Sequence, residues 1–161
     1  MDIGKVISRF GEHSIEIAKK MIQDDELCRL LYFADEPYEQ TITRKDKKKM
    51  LHKNIVINTE APVQNNQGSY ILISFNDFSR NQTNSETMDV VIFIDVIVPT
   101  EDWVLKNGNL RPYSIMEKIA DIMKNVKIDS IGEVEFGGAQ QVVLGNGLSG
   151  YSMKFANYQL G

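Results

Sequence analysis

"SYILISFNDFS" at residues 69–79 and "MDVVIFIDVIVP" at residues 88–99 decide how this chain folds. Both are dense in Ile, Val and Phe, which fit a pleated and partly buried surface. RNQTNSET between them is polar and turn-forming, and far too short for the crossover a parallel pair needs. The two stretches read as one antiparallel hairpin. Eleven residues at about 3.3 Å each make a strand of roughly 36 Å, close to the ~40 Å diameter of a compact domain of this length. The hairpin should cross the whole domain, with Asn81 and Gln82 in a tip that stands clear of it.

The faces of the second strand carry more information than its length. One side presents Val90, Ile92, Ile94, Val96 and Val98, the other Asp89, Val91, Phe93, Asp95 and Ile97. A sheet with one wet side alternates cleanly, as Tyr151-Ser152-Met153-Lys154-Phe155 does. This strand is apolar on both sides, so each side needs cover. Asp95 then reads as an inward polar residue with a hydrogen-bond partner, or as a residue at a subunit interface.

Around the hairpin the period changes. Ile3, Val6, Ile7, Phe10, Ile15, Ala18, Met21 and Ile22 recur at threes and fours, which predicts a helix with Gly11 as a possible interruption. DDELCRLLYFAD predicts a second short helix that opens on acids, and Ile55–Ile57 a short strand. Pro112 suits the first turn of a helix whose apolar stripe is Ile115, Ile119 and Ile122 with Met116 and Met123. GEVEFGG and AQQVVL read as strand with a bulge at Gly137-Gly138, and NGLSG turns the chain into a last strand, YSMKFANYQ. The order is helices, a long hairpin, a helix and a second hairpin: an α+β fold with a mostly antiparallel sheet. Residues 1–161 read as one domain, with a helical N-terminal region, residues 1–53, that could attach loosely.

Composition narrows the function without naming it. A chain of 161 residues buries enough surface to fold without metal or disulfide. Its one cysteine, Cys28, excludes an internal disulfide, fits a reducing compartment and reads as a small packed hydrophobe. The opening MDIGKVISRFGEHSIEIAKKM mixes charge into its apolar positions, unlike a signal peptide or a membrane span. We expect a cytoplasmic protein, or one assembled there, with the Asn81-Gln82-Thr83 sequon unused. Net charge is −4, yet RKDKKKMLHK at 44–53 carries +5, which leaves −9 elsewhere. That run is either a solvated helix or loop, or a contact for nucleic acid or an acidic protein; it lacks the interleaved aromatics of a single-strand binder.

Catalytic chemistry finds little support. His13 and His52 have no metal-ligand spacing, and Asp95, Glu101 and Asp102 lack the lysine element of a metal-dependent nuclease. No GxSxG and no Walker motif occurs, and strands rather than a helix follow the glycines of FGGAQQVVLGNGLSG. We expect no catalytic residues, no metal and no cofactor. PTEDWVLKNGNLRPYS at 99–114 remains, holding the single tryptophan. Either Trp103 packs back on the domain and Asn107-Gly108 closes a turn, or Trp103, Leu105 and Arg111 anchor a protein interface, where Trp and Arg are favoured.

The element order resembles the tail-terminator and neck (head–tail joining) proteins of tailed bacteriophages. Ile97-Val98-Pro99 through Trp103-Val104-Leu105, then Leu110-Arg111-Pro112-Tyr113-Ser114-Ile115 entering a helix, is similar to stretches of phage neck proteins. The likeness implies a virion protein without catalytic residues, forming a homo-oligomeric ring, commonly of six. Such a ring caps the tail-tube protein and presents a surface to the head connector, with DNA passing through the lumen. From the residues themselves we expect no membrane partner and no cofactor. The residues expected at protein interfaces are Trp103, Leu105 and Arg111 in the loop, Val91, Phe93 and Asp95 on the second strand, and Asn81 and Gln82 at the tip. The different-class alternative is a small nucleic-acid-binding or regulatory protein that uses residues 44–53.

Overall fold

The computed structural model describes residues 2–58, 68–84, 88–128 and 132–157. Three helices come first: α1 (Ile3–Gln23), α2 (Asp25–Tyr32) and α3 (Arg44–Met50). Strands β1 (Ile55–Val56), β2 (Tyr70–Arg80) and β3 (Met88–Pro99) follow, then α4 (Arg111–Lys124). The chain ends in β4 (Lys127–Ile128), β5 (Gly132–Glu133), β6 (Glu135–Gly145) and β7 (Leu148–Asn157). This is the α+β fold with a mostly antiparallel sheet that the sequence predicts.

The five-stranded sheet runs β1-β2-β3-β7-β6, and β4 pairs with β5 separately. β3 is the spine. Its Ile94 lies opposite Ile73 of β2 and Met153 of β7, and its Val96 opposite Ile71 and Tyr151. The long hairpin and its bounds match the expectation to within a residue, and so does the bulge, where β6 slips register between Phe136 and Gly138. The parallel β1–β2 pair was not foreseeable, because two residues carry too little pattern.

Helix ends follow their side chains. Asp24 ends α1 through its N–H to Met21 O and opens α2 by accepting from Leu27 N at 2.8 Å, so one residue makes both corners. α1 runs through Gly11 without a break, so the possible interruption there does not occur. The basic run is α3, started by a capping box between Thr43 and Asp46 and anchored by the buried Met50.

Helices cover one face of the sheet. Val90, Ile92, Ile94, Val96 and Val98 share a single core with Ile17, Met21, Leu27, Leu30, Leu31, Met50, Ile115 and Ile119. Residues of all three N-terminal helices therefore take part in the core. Phe10 extends that core along β2, stacking on Phe75 with ring centres 5.0 Å apart and meeting Phe78 edge-on.

Gly150 marks the tightest approach within the sheet. A Cβ there would penetrate the Val96 carbonyl, whereas a Cβ at Gly137 would meet Lys154 O at an ordinary 3.5 Å. Gly150→Ala should cost about 3 kcal/mol or more by forcing β7 from β3, and Gly137→Ala under about 1 kcal/mol. Urea unfolding midpoints of the two variants check this.

Candidate functional site

The loop between β3 and α4 is held from three sides. Thr100 donates its N–H (2.7 Å) and its hydroxyl (3.0 Å) to Gly147 O in the β6–β7 turn. Trp103 Nε1 donates back to Val98 O at 3.3 Å, and the ring leans on Tyr151. Gly108, at φ +84°, closes the Leu105–Asn109 turn, a backbone shape that favours glycine. Tyr113 and Tyr151 join their hydroxyls at 2.7 Å on the exposed side of this cluster.

Arg111 is the centre of the arrangement. Its guanidinium donates to Leu30 O (2.5 Å), Phe33 O (2.8 Å) and Ala34 O (2.5 Å), and its Nε to Asp102 O (2.9 Å). Leu30 lies in the last turn of α2, and Phe33 and Ala34 directly follow it. A cation there meets carbonyls the helix leaves unpaired, at the negative end of its dipole. Burial lowers the Arg111 pKa and the nearby Asp102 carboxylate opposes that shift; burial in turn raises the Asp102 pKa. An ion pair between Lys106 and Glu36 and another between Lys118 and Glu26 (2.8 Å) fasten the same two regions.

These contacts correct two of the nominated interface residues. Arg111 is 2% exposed and Leu105 is 4% exposed, so neither offers a surface to a partner. Trp103 is half-buried and packed on its own domain. Arginine suits buried and surface recognition equally, which is why residue type alone misplaced Arg111. Replacing Arg111 with Met should cost about 3–5 kcal/mol by leaving carbonyls unpaired, and Lys should not restore the loss, since an ammonium lacks the planar fork. Chemical denaturation of the three proteins reads both effects.

The strand residues stand differently. Val91, Phe93 and Asp95 are half-buried on the face of β3 that no described helix covers. Beside them on β7 lie Lys154, opposite Phe93, and Ser152, opposite Asp95. Ser152 donates a short 2.5 Å hydrogen bond to the Asp95 carboxylate, so Asp95 has the expected partner. Gln140 extends the row onto β6. At one end of this face Val56, Tyr70, Leu72, Ile97 and Leu148 form a small second core with no helical residue in it. A shallow depression of about 220 Å³ lies over Phe93, Gln140, Ser152 and Lys154.

At the hairpin tip Asn81 accepts at Oδ1 from Thr83 N (2.8 Å), Thr83 Oγ1 (2.7 Å) and Asn84 N (2.8 Å), and donates to Asp89 at 2.8 Å. It shapes the turn, and Gln82 beside it is exposed. The rest of the tip, residues 85–87, lies outside the described residues.

Reactive chemistry does not assemble. Among the described residues no three His, Cys, Asp or Glu side chains group as metal ligands, and no helix is long and apolar enough to cross a membrane. A cleft of about 430 Å³ between α4 and the β6–β7 hairpin has a mixed wall, with Asp121, Lys124, Glu133 and Glu135 beside Phe136 and Phe155. Cys28 is buried and its thiol is pushed up to about 12, first by burial. It should resist aromatic disulfide reagents at pH 8 in the native protein and react fully once unfolded, as a thiol titration would show.

Sequence reading placed Val91, Phe93 and Asp95 together but missed Ser152, Lys154 and Gln140. Alternation marked Ser152 and Lys154 as outward, yet only the strand order puts them beside β3. No curated protein matches the chain. A family model described as YomW matches residues 24–157. The chain belongs to this family, which is phage-derived.

Proposed function

We propose that the chain is a non-enzymatic structural protein of a phage virion. In this reading it is a tail terminator or head–tail joining protein that forms a ring, of six subunits, on the tail tube. The ring docks to the head connector, and DNA passes through its lumen without specific binding. The protein acts in the virion and in the host cytoplasm during assembly. The carrying observation is the outer face of the sheet, where no described helix lies over Val91 and Phe93. Half-buried apolar side chains on a long strand gain roughly 25 cal/mol per Å² when a partner removes them from water. Membership of a phage-derived family and the likeness of element order point the same way. The charge of −9 outside the basic run suits a channel that DNA must slide through, since lysine and arginine contacts to phosphate are what make DNA stick.

A second reading rests on α3. Arg44, Lys45, Lys48 and Lys49 are exposed, as is Lys53 beyond it, while Lys47 is engaged with Asp25 at 2.5 Å. A small nucleic-acid-binding or regulatory protein would use this surface. Its mark is DNA binding that weakens steeply with salt and disappears when Lys45, Lys48 and Lys49 become Gln.

Mass measured across a concentration series separates the two. The wild type should self-associate, and Phe93→Ser should shift it toward monomer while changing folding stability by less than about 1.5 kcal/mol. A strict monomer that also ignores tail-tube protein contradicts the ring.

A further inference from the structure

β6 is an eleven-residue edge strand, and among the described residues it pairs only with β7. Nine of its eleven residues are exposed and none is buried. Val143 is 72% exposed, Phe136 56% and Leu144 52%. Natural sheets protect such edges with lysine, proline, shortness or cover. β6 has no lysine and no proline, and Glu135 at its start is its single charge. Its two bulges lie toward the ends, which leaves Gly138–Val143 regular in between. An edge of this length and composition is built to be paired.

Among the described residues the opposite border of the sheet is open too. β1 covers β2 at Ile71 and Leu72, and from Asn76 to Arg80 every residue is exposed although β3 pairs along the inner side. Taking the strands across the sheet, β2 and β7 run one way and β3 and β6 the other. A rotation about an axis along the strands preserves their directions, so β6 of one copy would meet β2 of the next antiparallel. Glu135 and Arg80 lie at the same end of the sheet on opposite borders. An unshifted addition would set Glu135 in the row of Asp77, through Ala156 and Val91. A stagger of about two residues, which keeps every side chain on its own face, moves it to the row of Ser79 and past that carboxylate, and a closed ring of tilted strands requires such a shear.

We infer that β6 of one copy adds antiparallel to the β2 border of a second copy, near Asn76–Arg80, so that one sheet continues from subunit to subunit. The inference rests on the ring reading and says where its seam lies. A two-fold pairing of β6 with itself would cover that edge and leave β2 bare. Head-to-tail addition covers both and repeats the same contact at each step.

Cysteine pairing tests it, because the single native thiol, Cys28, is buried away from both borders. Ala139→Cys or Gln140→Cys supplies a thiol on either face of β6, and Asn76→Cys or Asp77→Cys does so on β2. Under mild oxidation a β6 variant mixed with a β2 variant should give a cross-linked dimer, and neither alone should. A chain carrying both should give a ladder of multimers. Self-cross-linking of a β6 variant alone, or capture of β6 by another protein in place of a second copy, would overturn the inference. A ring by mass with no β6–β2 cross-link in any combination would also overturn it, while leaving the ring reading standing. A protein monomeric at every concentration would sink both.

Discussion

All the described helices that feed the main core lie on one side of β3, and the rest of the molecule follows from that one-sidedness. Val90, Ile92, Ile94, Val96 and Val98 receive α1, α2, α4 and the end of α3. The other side receives a small patch at one end and no helix. A two-layer domain satisfies one face of a sheet, and a strand that is apolar on both faces exceeds what two layers cover. The surplus on the outer side of β3 stays half-buried, and the proposed function rests on it.

The helical layer can be so one-sided because Arg111 fixes the point where helices and sheet meet. A chain leaving β3 must turn through the Trp103 loop before α4 begins, and α2 ends beside that turn. Burying a guanidinium there is expensive unless each of its donors finds an acceptor. Four carbonyls supply them, three from the end of α2 and one from the loop. Loop, α2 and α4 are thereby tied at one residue, with Trp103 and the Tyr113–Tyr151 pair sealing the outside. The loop is therefore tied into the domain, although Val104 and Tyr113 remain exposed there.

Much of this was legible in the sequence. The hairpin strands announce themselves by residue type and by the turn between them, and the glycine bulge of β6 by its paired glycines. The two-sided apolar pattern of β3 singled out Val91 and Phe93, which stand half-buried with no described helix over them. Burial of Arg111 was not legible, since its partners are backbone carbonyls nearly eighty residues away that carry no sequence signature. Nor was the place of β7 between β3 and β6, because alternation tells which way a side chain points and not which strand it stands beside. Gly150 shows the same limit: its need is set by the Val96 carbonyl across the pair, and nothing in GLSGY distinguishes it from a turn glycine.

The account depends on the outer sheet face being shared between copies, and hydroxyl-radical footprinting of Phe93 reads that directly. In concentrated protein Phe93 should be shielded and should become oxidised on dilution. Tyr38, exposed among the residues between α2 and α3, should react equally at both concentrations. Equal oxidation of Phe93 at all concentrations, with and without tail-tube protein, would contradict the account.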